Sequence, residues 1–383
     1  MRKNLKYLIV LLMVLFVIIV FFLWKDIDIG WERWNNENLS YVKADVVKIY
    51  EEEIEEQYGS LKLGYQIVEL ELKSGEYKGE KLKLENNLST GHSIYVKEGD
   101  SVIVLADHPK NVEPYYSIYN YDRSASLIGI LVFFLLVLFF VGRKKGILSA
   151  FSLLVSLYFI LFFLLPQIYK GENAVLITII TCIICGFYSI IIIYGFTKMS
   201  LVNLISIGVT FILTAILYYI FSSILNISGY NLEESEGLLL IAQQTGLDVK
   251  GILFSSVAIS ALGASKDVSV SISSALQEIK EVNPKTSKFE LLNSGMNIGK
   301  DIIGTMVDTL IFAFLGSTFA TLLIFISYGV EFYQLINSDF FTEEILTGII
   351  GTSTVILMVP IAALFSSIIY TSNKDKKNKK IKK

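Results

Sequence analysis

Long apolar stretches separated by short polar connections dominate the chain. About 18 apolar residues, at 1.5 Å per residue, are enough to cross a hydrocarbon core of about 30 Å. Eight stretches reach that length: Leu5–Trp24, Ser124–Val141, Ile147–Leu165, Ala174–Phe196, Leu201–Leu225, Val249 to about Ser274, Ile302–Ser327 and Ile345–Tyr370. The pattern predicts an α-helical membrane bundle of about eight transmembrane helices in contact with the lipid bilayer.

Composition and charge agree with a membrane protein and suggest its orientation. The 383 residues are 53% hydrophobic and only 18% charged, which is too apolar for a soluble protein with an ordinary core. Cytoplasmic loops accumulate Lys and Arg. With the amino terminus inside, Arg143–Lys145, Lys198, the 280–300 connection and the basic tail 371–383 all fall on the cytoplasmic side. We therefore predict a multi-pass cell-membrane protein with both termini in the cytoplasm.

Residues 26–123 are the only predicted non-membrane stretch that is long enough to fold as a domain. Apolar and polar residues alternate at 41–50, 65–75, 76–86 and 92–108, and turn-forming residues separate these segments. Such alternation predicts antiparallel strands, here a small all-β barrel or sandwich of about five strands. The predicted domains are an anchor helix at 1–25, an extracytoplasmic β-domain at 26–123, seven membrane helices at 124–370 and a basic cytoplasmic tail at 371–383.

Common catalytic motifs do not occur in the sequence. It contains no phosphate-binding loop, dinucleotide fingerprint, zinc-protease motif or glycine-flanked nucleophilic serine. The predicted inner loops are also too short for an ATPase domain. We therefore predict no catalytic residue, no cofactor and no nucleic-acid partner. The sequence identifies no metal ligands, and energy for any transport would come from an ion gradient or from the substrate's own gradient.

Charged residues interrupt two of the apolar stretches. In the sixth, Asp267 and Ser271 belong to a stripe of small and polar residues at helical spacing. In the seventh, Asp301, Thr305 and Asp308 fall at i, i+4 and i+7, on one helix face. Charges inside a membrane are costly and favour an interior cavity or a partner over lipid. We predict that these five residues bind a small cation or a proton.

The neighbouring lysines and glycines have a predicted role in assembling this site. Because the sixth and seventh stretches run antiparallel, Lys266 and Lys300 would lie near the carboxylates of the other helix and neutralise them. Glycines allow helices to approach closely or to bend. We predict packing or hinge roles for Gly263, Gly299 and Gly304.

The stretches "ALGASKDVSVSISSALQEI" and "SGMNIGKDIIGTMVDTLIFAFLG" carry a family resemblance. The chain resembles the YibE/F-like bacterial membrane proteins over nearly its whole length. Asp267, the serine-rich run after it, Asp301 and Gly304-Thr305-Met306 match the family pattern. Lys266, Lys300 and Asp308 replace an apolar residue, Arg and Asn respectively. The resemblance implies a bacterial cell-membrane protein with a permease-like assignment.

The sequence supports a permease hypothesis and leaves two alternatives open. In the first, Asp267, Asp301 and Asp308 form the acidic site of an ion-coupled permease or channel-like transporter. In the second, Asp267 and Asp301 are the acid and base of an intramembrane aspartyl protease, although a lysine beside each would hold both ionised. In the third, the protein does not transport, and its exported β-domain binds a partner during membrane assembly. The sequence leaves homo-oligomerisation open as well.

Overall fold

The computed structural model describes residues 39–372, except 58, 60, 76, 109–113 and 230–234. The predicted first span and most of the basic tail lie outside the described residues. The chain divides into two compact units, with the division between Val141 and Gly142. One unit contains a β-sheet and the other contains most of the helices.

The first unit is a five-stranded antiparallel sheet curved into a half-barrel. Its strands are β1 (Leu39–Gln57), β2 (Leu61–Leu72), β3 (Lys81–Leu88), β4 (Ser101–Asp107) and β5 (Tyr115–Tyr121), in the order β3-β2-β1-β4-β5. Alternate residues such as Val42, Ala44 and Val46 are buried, because successive side chains of a strand point to opposite faces. The predicted small all-β domain is confirmed as this half-barrel.

Two polar side chains complete the core of the sheet. The Gln66 amide donates to the Val96 carbonyl and accepts from the Val96 amide, both at 3.0 Å. The Asn86 amide donates to the Ile94 carbonyl at 2.8 Å. These bonds satisfy backbone groups of residues 94–96, which belong to no strand. The alternation at 92–108 therefore overstated the length of β4, which begins only at Ser101.

Asp122, just after β5, makes the stability of this unit depend on acid pH. It pairs with Lys43 at 2.8 Å and accepts a hydrogen bond from the Ser124 amide at 2.9 Å. The Lys43 ammonium and the Ser124 amide together lower the pKa of Asp122 from 3.8 to about 2. The resulting stabilisation is complete above pH 3.8 and is lost as the pH falls through about 2.

We therefore expect Asp122→Asn to remove part of the acid sensitivity of the sheet. Thermal unfolding of the full-length protein, followed between pH 2 and 5, should show a gap between wild type and variant that closes as the pH falls. A gap of constant size across that range would show that the charge of Asp122 does not contribute.

The second unit contains most of the helices. In chain order the helices are α1 (Ser124–Phe159), a π-helical turn (Ile160–Leu164), α2 (Leu165–Tyr169), α3 (Ala174–Tyr194), α4 (Lys198–Ile224), α5 (Ser235–Thr245), α6 (Val249–Val282), α7 (Lys288–Ser317), α8 (Phe319–Ser327), α9 (Phe332–Ile336) and α10 (Asp339–Thr371). Among the described residues, five helical segments are long and apolar enough to cross a membrane, or six if α7 and α8 count as one bent span. The protein is therefore a membrane protein with several candidate spans.

Two breaks change the predicted spans. The second and third predicted spans lie in one helical run, Ser124–Tyr169, which leaves helical geometry at Arg143 with φ 48°. The seventh is divided into α7 and α8, which meet at a bend of 57°. At that bend the Ser317 and Thr318 hydroxyls both donate to the Phe314 carbonyl. Such side-chain bonds compete with the helix ladder and bend helices.

The turn between α6 and α7 confirms one local prediction and corrects another. Pro284 follows the end of α6, as expected. Ser287 and Glu290 form a capping box, as their spacing predicts. The helix that they open was expected to be a short separate piece, but it continues through the seventh span to Ser317. No proline interrupts the backbone hydrogen bonds between Lys288 and Ser317, so the helix continues through this stretch.

Helix α10 lies at the centre of the helical unit. It packs against α4, α6 and α7, and α3 packs against α4 and α6. The core between them contains large side chains with no exposed surface, including Phe211, Phe254, Ile272 and Leu276.

Two glycines bring α7 close to α10. A β-carbon at Gly295 would lie 2.8 Å from Ala363 Cβ, and one at Gly299 would overlap Val359.

Candidate functional site

The predicted acidic residues of α7 share one face, and that face is exposed. Asp301, Thr305 and Asp308 all point away from the packed core, as does Lys300. The Thr305 hydroxyl donates to the Ile302 carbonyl of its own helix at 3.0 Å. Within the part of the chain that the structure describes, neither carboxylate has a hydrogen bond or an ion pair within 4 Å.

The predicted residues of α6 also lie on an outer face. Asp267, Ser271 and Gly263 are exposed on the side opposite the core. Lys266 instead turns toward α3, and its ammonium donates to the Ser189 hydroxyl at 3.0 Å. No ion pair joins Lys266 or Lys300 to any carboxylate of the described residues. The expected neutralisation across the two helices is therefore not what the structure shows.

Helix geometry relates the depths of these two faces. Leu276 of α6 lies 2.8 Å from the β-carbon position of Gly295 in α7. The helices are antiparallel, and equal numbers of residues from that contact rise equally, at about 1.5 Å per residue. Asp267 then lies level with Gly304, and Asp308 lies level with Gly263. The carboxylates of α6 and α7 therefore lie at similar depths along the two helices. No hydrogen bond joins Asp267 to Asp301.

The charged groups on the outer faces of α6 and α7 limit which surroundings these faces can have. A carboxylate or ammonium group that faces hydrocarbon is strongly unfavourable. Asp267, Asp301, Asp308 and Lys300 are all exposed on these two helices. These groups therefore favour water or protein over lipid tails as the surroundings of this side of the bundle.

The three predicted glycines differ in their surroundings. Gly299 is buried against Val359 of α10 and has no room for a side chain. A β-carbon at Gly263 or Gly304 would meet nothing within 4 Å among the described residues. Both α6 and α7 continue as helices through these two positions. Gly299 is thus a close-packing position, and the nearest bend of the chain falls at Thr318 instead.

A second polar region lies inside the bundle, between α4, α6 and α10. We call it the polar seam. Its members are buried residues with hydroxyl or amide groups: Asn203, Ser206, Thr210 and Thr214 of α4, Ser265, Ser269 and Ser273 of α6, and Thr352, Thr354, Ser366 and Tyr370 of α10. From Asn203 to Thr214 the seam is about 16 Å long at 1.5 Å per residue. It therefore covers about half of a 30 Å hydrocarbon core.

Hydrogen bonds join all three helices at one end of the seam and join α4 to α10 at the other. At one end the Asn203 amide donates to the Ser273 hydroxyl at 2.9 Å, and the Tyr370 hydroxyl donates to the Ser273 carbonyl at 3.1 Å. At the other end the Thr214 hydroxyl donates to the Thr354 hydroxyl at 2.9 Å. Direct contacts therefore close one end of the seam between all three helices and the other end between α4 and α10.

Several oxygens of the seam have no hydrogen-bond partner among the described residues. They are Asn203 Oδ1, Ser206 Oγ, Ser265 Oγ, Ser269 Oγ, Thr352 Oγ1 and Ser366 Oγ. Burying a hydroxyl or amide oxygen without a bond costs about 1–3 kcal/mol each. Polar atoms that remain unpaired in a native interior call for a specific explanation, such as a bound species. Among the described residues, most of the buried oxygens without a partner are concentrated in this seam.

A model of the YibE/F-like protein family matches residues 130–372. The chain belongs to this family. No curated protein matches the chain, and no solved structure matches it.

The YibE/F-like match covers the helical unit and leaves out the β-sheet. Residues 130–372 include every candidate residue of α6 and α7 and the whole polar seam, whereas β1 to β5 end at Tyr121. The family resemblance of the sequence is thus confirmed for the membrane helices. Both candidate sites belong to the part of the chain that the family shares.

The sequence reasoning missed the polar seam, although a signal was present. Ser265, Ser269 and Ser273 recur every four residues on α6. Asn203, Ser206 and Thr210 recur at three and four residues on α4, within a stretch that was treated only as an apolar span. The stripe predicted from the sequence was instead the opposite face of α6, which carries Asp267. Glu343 of α10 was also missed, because it precedes the predicted eighth span, and it is 6% exposed.

Proposed function

We propose that this YibE/F-like protein is an ion-coupled permease. The polar seam between α4, α6 and α10 is the observation that carries the proposal. An interior made only to hold helices together would be expected to pair its polar groups, because the membrane offers no water to do so. A row of unpaired oxygens instead suits a polar species that moves between the helices.

Helix α6 connects the proposed path with the predicted acidic site. Its mean hydropathy, 1.2, is the lowest of the five long apolar helical segments among the described residues. Its inner face carries the serines of the seam, and its outer face carries Asp267 and Ser271. In our proposal a shift of α6 couples the two faces, so that occupancy of one changes the accessibility of the other.

We place the coupling ion at the outer faces of α6 and α7. Asp267, Asp301 and Asp308 supply negative charge, and Thr305 and Ser271 supply neutral oxygens beside it. Lys266 bonds to Ser189 instead of a carboxylate, which supports leaving this charge available for a proton or a small cation. The coupled ion supplies the energy, which agrees with the absence of nucleotide-binding motifs from the sequence.

The proposed topology has eight spans, with both termini and the α6–α7 turn in the cytoplasm and the β-sheet outside. Ser89 and Ser287 are both exposed on their surfaces, so single cysteines at these positions should be accessible to reagents. In intact cells, an impermeant maleimide should label the Ser89→Cys variant but label Ser287→Cys only after permeabilisation. Labelling of Ser287→Cys in intact cells would contradict the eight-span topology.

Cysteine accessibility along α6 tests the proposed path. In a background in which Cys182 and Cys185 are replaced by alanine, a small cationic methanethiosulfonate reagent should modify the Ser269→Cys variant. Ile272→Cys is the matched control, because Ser269 and Ile272 lie on the same helix and are both 0% exposed. We expect Ser269→Cys to react at least ~10-fold faster, since a path for polar species admits the reagent while a packed apolar position excludes it.

The measurement is the modification rate of each variant in proteoliposomes, read by mass spectrometry. If Ser269→Cys and Ile272→Cys are equally protected from the reagent, the seam is a closed packing surface. The permease proposal would then lose its main support.

A further inference from the structure

We infer that the end of the polar seam near Ser273 is a binding site for a monovalent alkali cation, held by Asn203 Oδ1 and the hydroxyl oxygens of Ser206, Ser269 and Ser366. The inference rests on the proposed function in one respect, because it names the species that the permease would carry. Binding itself can be tested without any transport.

These four oxygens come from three helices and lie within about one helical turn of the Asn203–Ser273 contact. The Asn203–Ser273 hydrogen bond fixes the level of α4 against α6. One turn further along each helix stand Ser206 and Ser269, on the same faces as Asn203 and Ser273. On α10, the Tyr370 hydroxyl reaches the Ser273 carbonyl. Because helical side chains lean toward the amino terminus, that hydroxyl lies near the level of Ser366, one turn earlier.

The hydrogen bonds around Ser273 use both donors of the Asn203 amide and leave its carbonyl oxygen without a partner among the described residues. Both protons of the Asn203 amide are engaged, by the Met199 carbonyl at 2.7 Å and by the Ser273 hydroxyl. The Ser273 hydroxyl donates to the Val270 carbonyl at 3.2 Å. Asn203 can therefore offer only its carbonyl oxygen, which is unpartnered and fully buried. An oxygen that can only accept suits a cation rather than an anion, and each serine hydroxyl can present its oxygen to the same ion.

The chemistry of the four ligands selects the class of cation. All four are oxygens, which suit hard cations. All four are neutral, and a divalent cation in so buried a site would need carboxylates to balance its charge. The direct hydrogen bonds between α4, α6 and α10 hold these helices close together, which favours a small species. Sodium or potassium fits these conditions.

Thermal unfolding of the purified full-length protein in lipid nanodiscs tests this site. The unfolding midpoint is measured in sodium, potassium or N-methyl-D-glucamine chloride at equal ionic strength. A bound ion stabilises the folded state in a saturable manner. We expect either sodium or potassium to raise the midpoint with saturation, relative to N-methyl-D-glucamine.

Variants that delete single ligands locate the effect. Ser206→Ala and Ser269→Ala each remove an oxygen that makes no hydrogen bond in the structure. Without alkali ions, both variants should therefore be at least as stable as wild type. Each should need ~10-fold more ion for half of the maximal shift, as expected for loss of one ligand of a small set. Ser256→Ala, at an exposed position of α6 outside both candidate sites, is the matched control and should bind like wild type.

The outcomes separate this inference from the proposed function. The cation site would be overturned if neither alkali ion gave a saturable shift. It would also be overturned if both seam variants kept the wild-type shift unchanged. If Ser269→Cys still reacted with the thiol reagent in that case, the permeation path would stand without the cation site. A saturable, variant-sensitive shift together with a protected Ser269→Cys would support the site and count against transport.

Discussion

Replacing Asp308 by asparagine should lower ion-dependent flux through the protein in reconstituted vesicles at least ~10-fold. The variant should still fold like wild type. The Asp308 carboxylate is exposed and makes no hydrogen bond to the described residues. The amide has nearly the same size, so no packing or bond is lost. It cannot bind a proton or balance the charge of a cation, however, so coupling to the ion gradient should fail.

Asn297→Ala provides the control for Asp308→Asn. Asn297 is also exposed, on the same face of α7, but carries no charge. Flux that survives Asp308→Asn would remove Asp308 from the site. The same preparations should be tested for cleavage of a transmembrane peptide, because a protease would depend on Asp267 and Asp301 instead. Cleavage that Asp267→Asn abolishes, in a protein without flux under any ion gradient, would replace the permease proposal with the protease hypothesis.

Two glycine-to-alanine changes on α7 should affect stability in opposite directions. A β-carbon at Gly299 would overlap the Val359 side chain, so Gly299→Ala should force α7 and α10 apart and destabilise the bundle by ~1–3 kcal/mol. A β-carbon at Gly304 would meet nothing within 4 Å. Gly304→Ala should stabilise the protein by ~0.5–1 kcal/mol, because alanine restricts the unfolded chain and favours a helix interior.

Thermal unfolding midpoints of the two variants and wild type, measured in one detergent, check this prediction. The two positions lie five residues apart on one helix, so detergent effects should be common to both. Similar shifts of the same sign would show that the α7–α10 contact is looser than the structure indicates. Loss of flux with retained stability in Gly304→Ala would point to a hinge at Gly304, which its continuous helical geometry does not suggest.

The sequence by itself determined the kinds of elements in this protein. Apolar stretches of membrane length form helices, because in lipid each backbone polar group must bond within its own segment. Alternation of apolar and polar residues produced β1 and β2, and the capping box at Ser287 opens α7 as its spacing predicts. The periodic placement of Asp301, Thr305 and Asp308 correctly indicated that they share a helix face. All of these are local properties, which residue spacing encodes directly.

Only the tertiary structure decided what each face meets. Helix α6 has two polar faces, and spacing cannot say that the serine face is buried while the Asp267 face is exposed. Lys266 bonds to Ser189, 77 residues away in the chain, and Gly299 but not Gly304 touches α10. Periodicity determines which residues lie side by side on one helix. The partner of a face depends on how several helices pack together, and that choice is made by contacts far apart in the sequence.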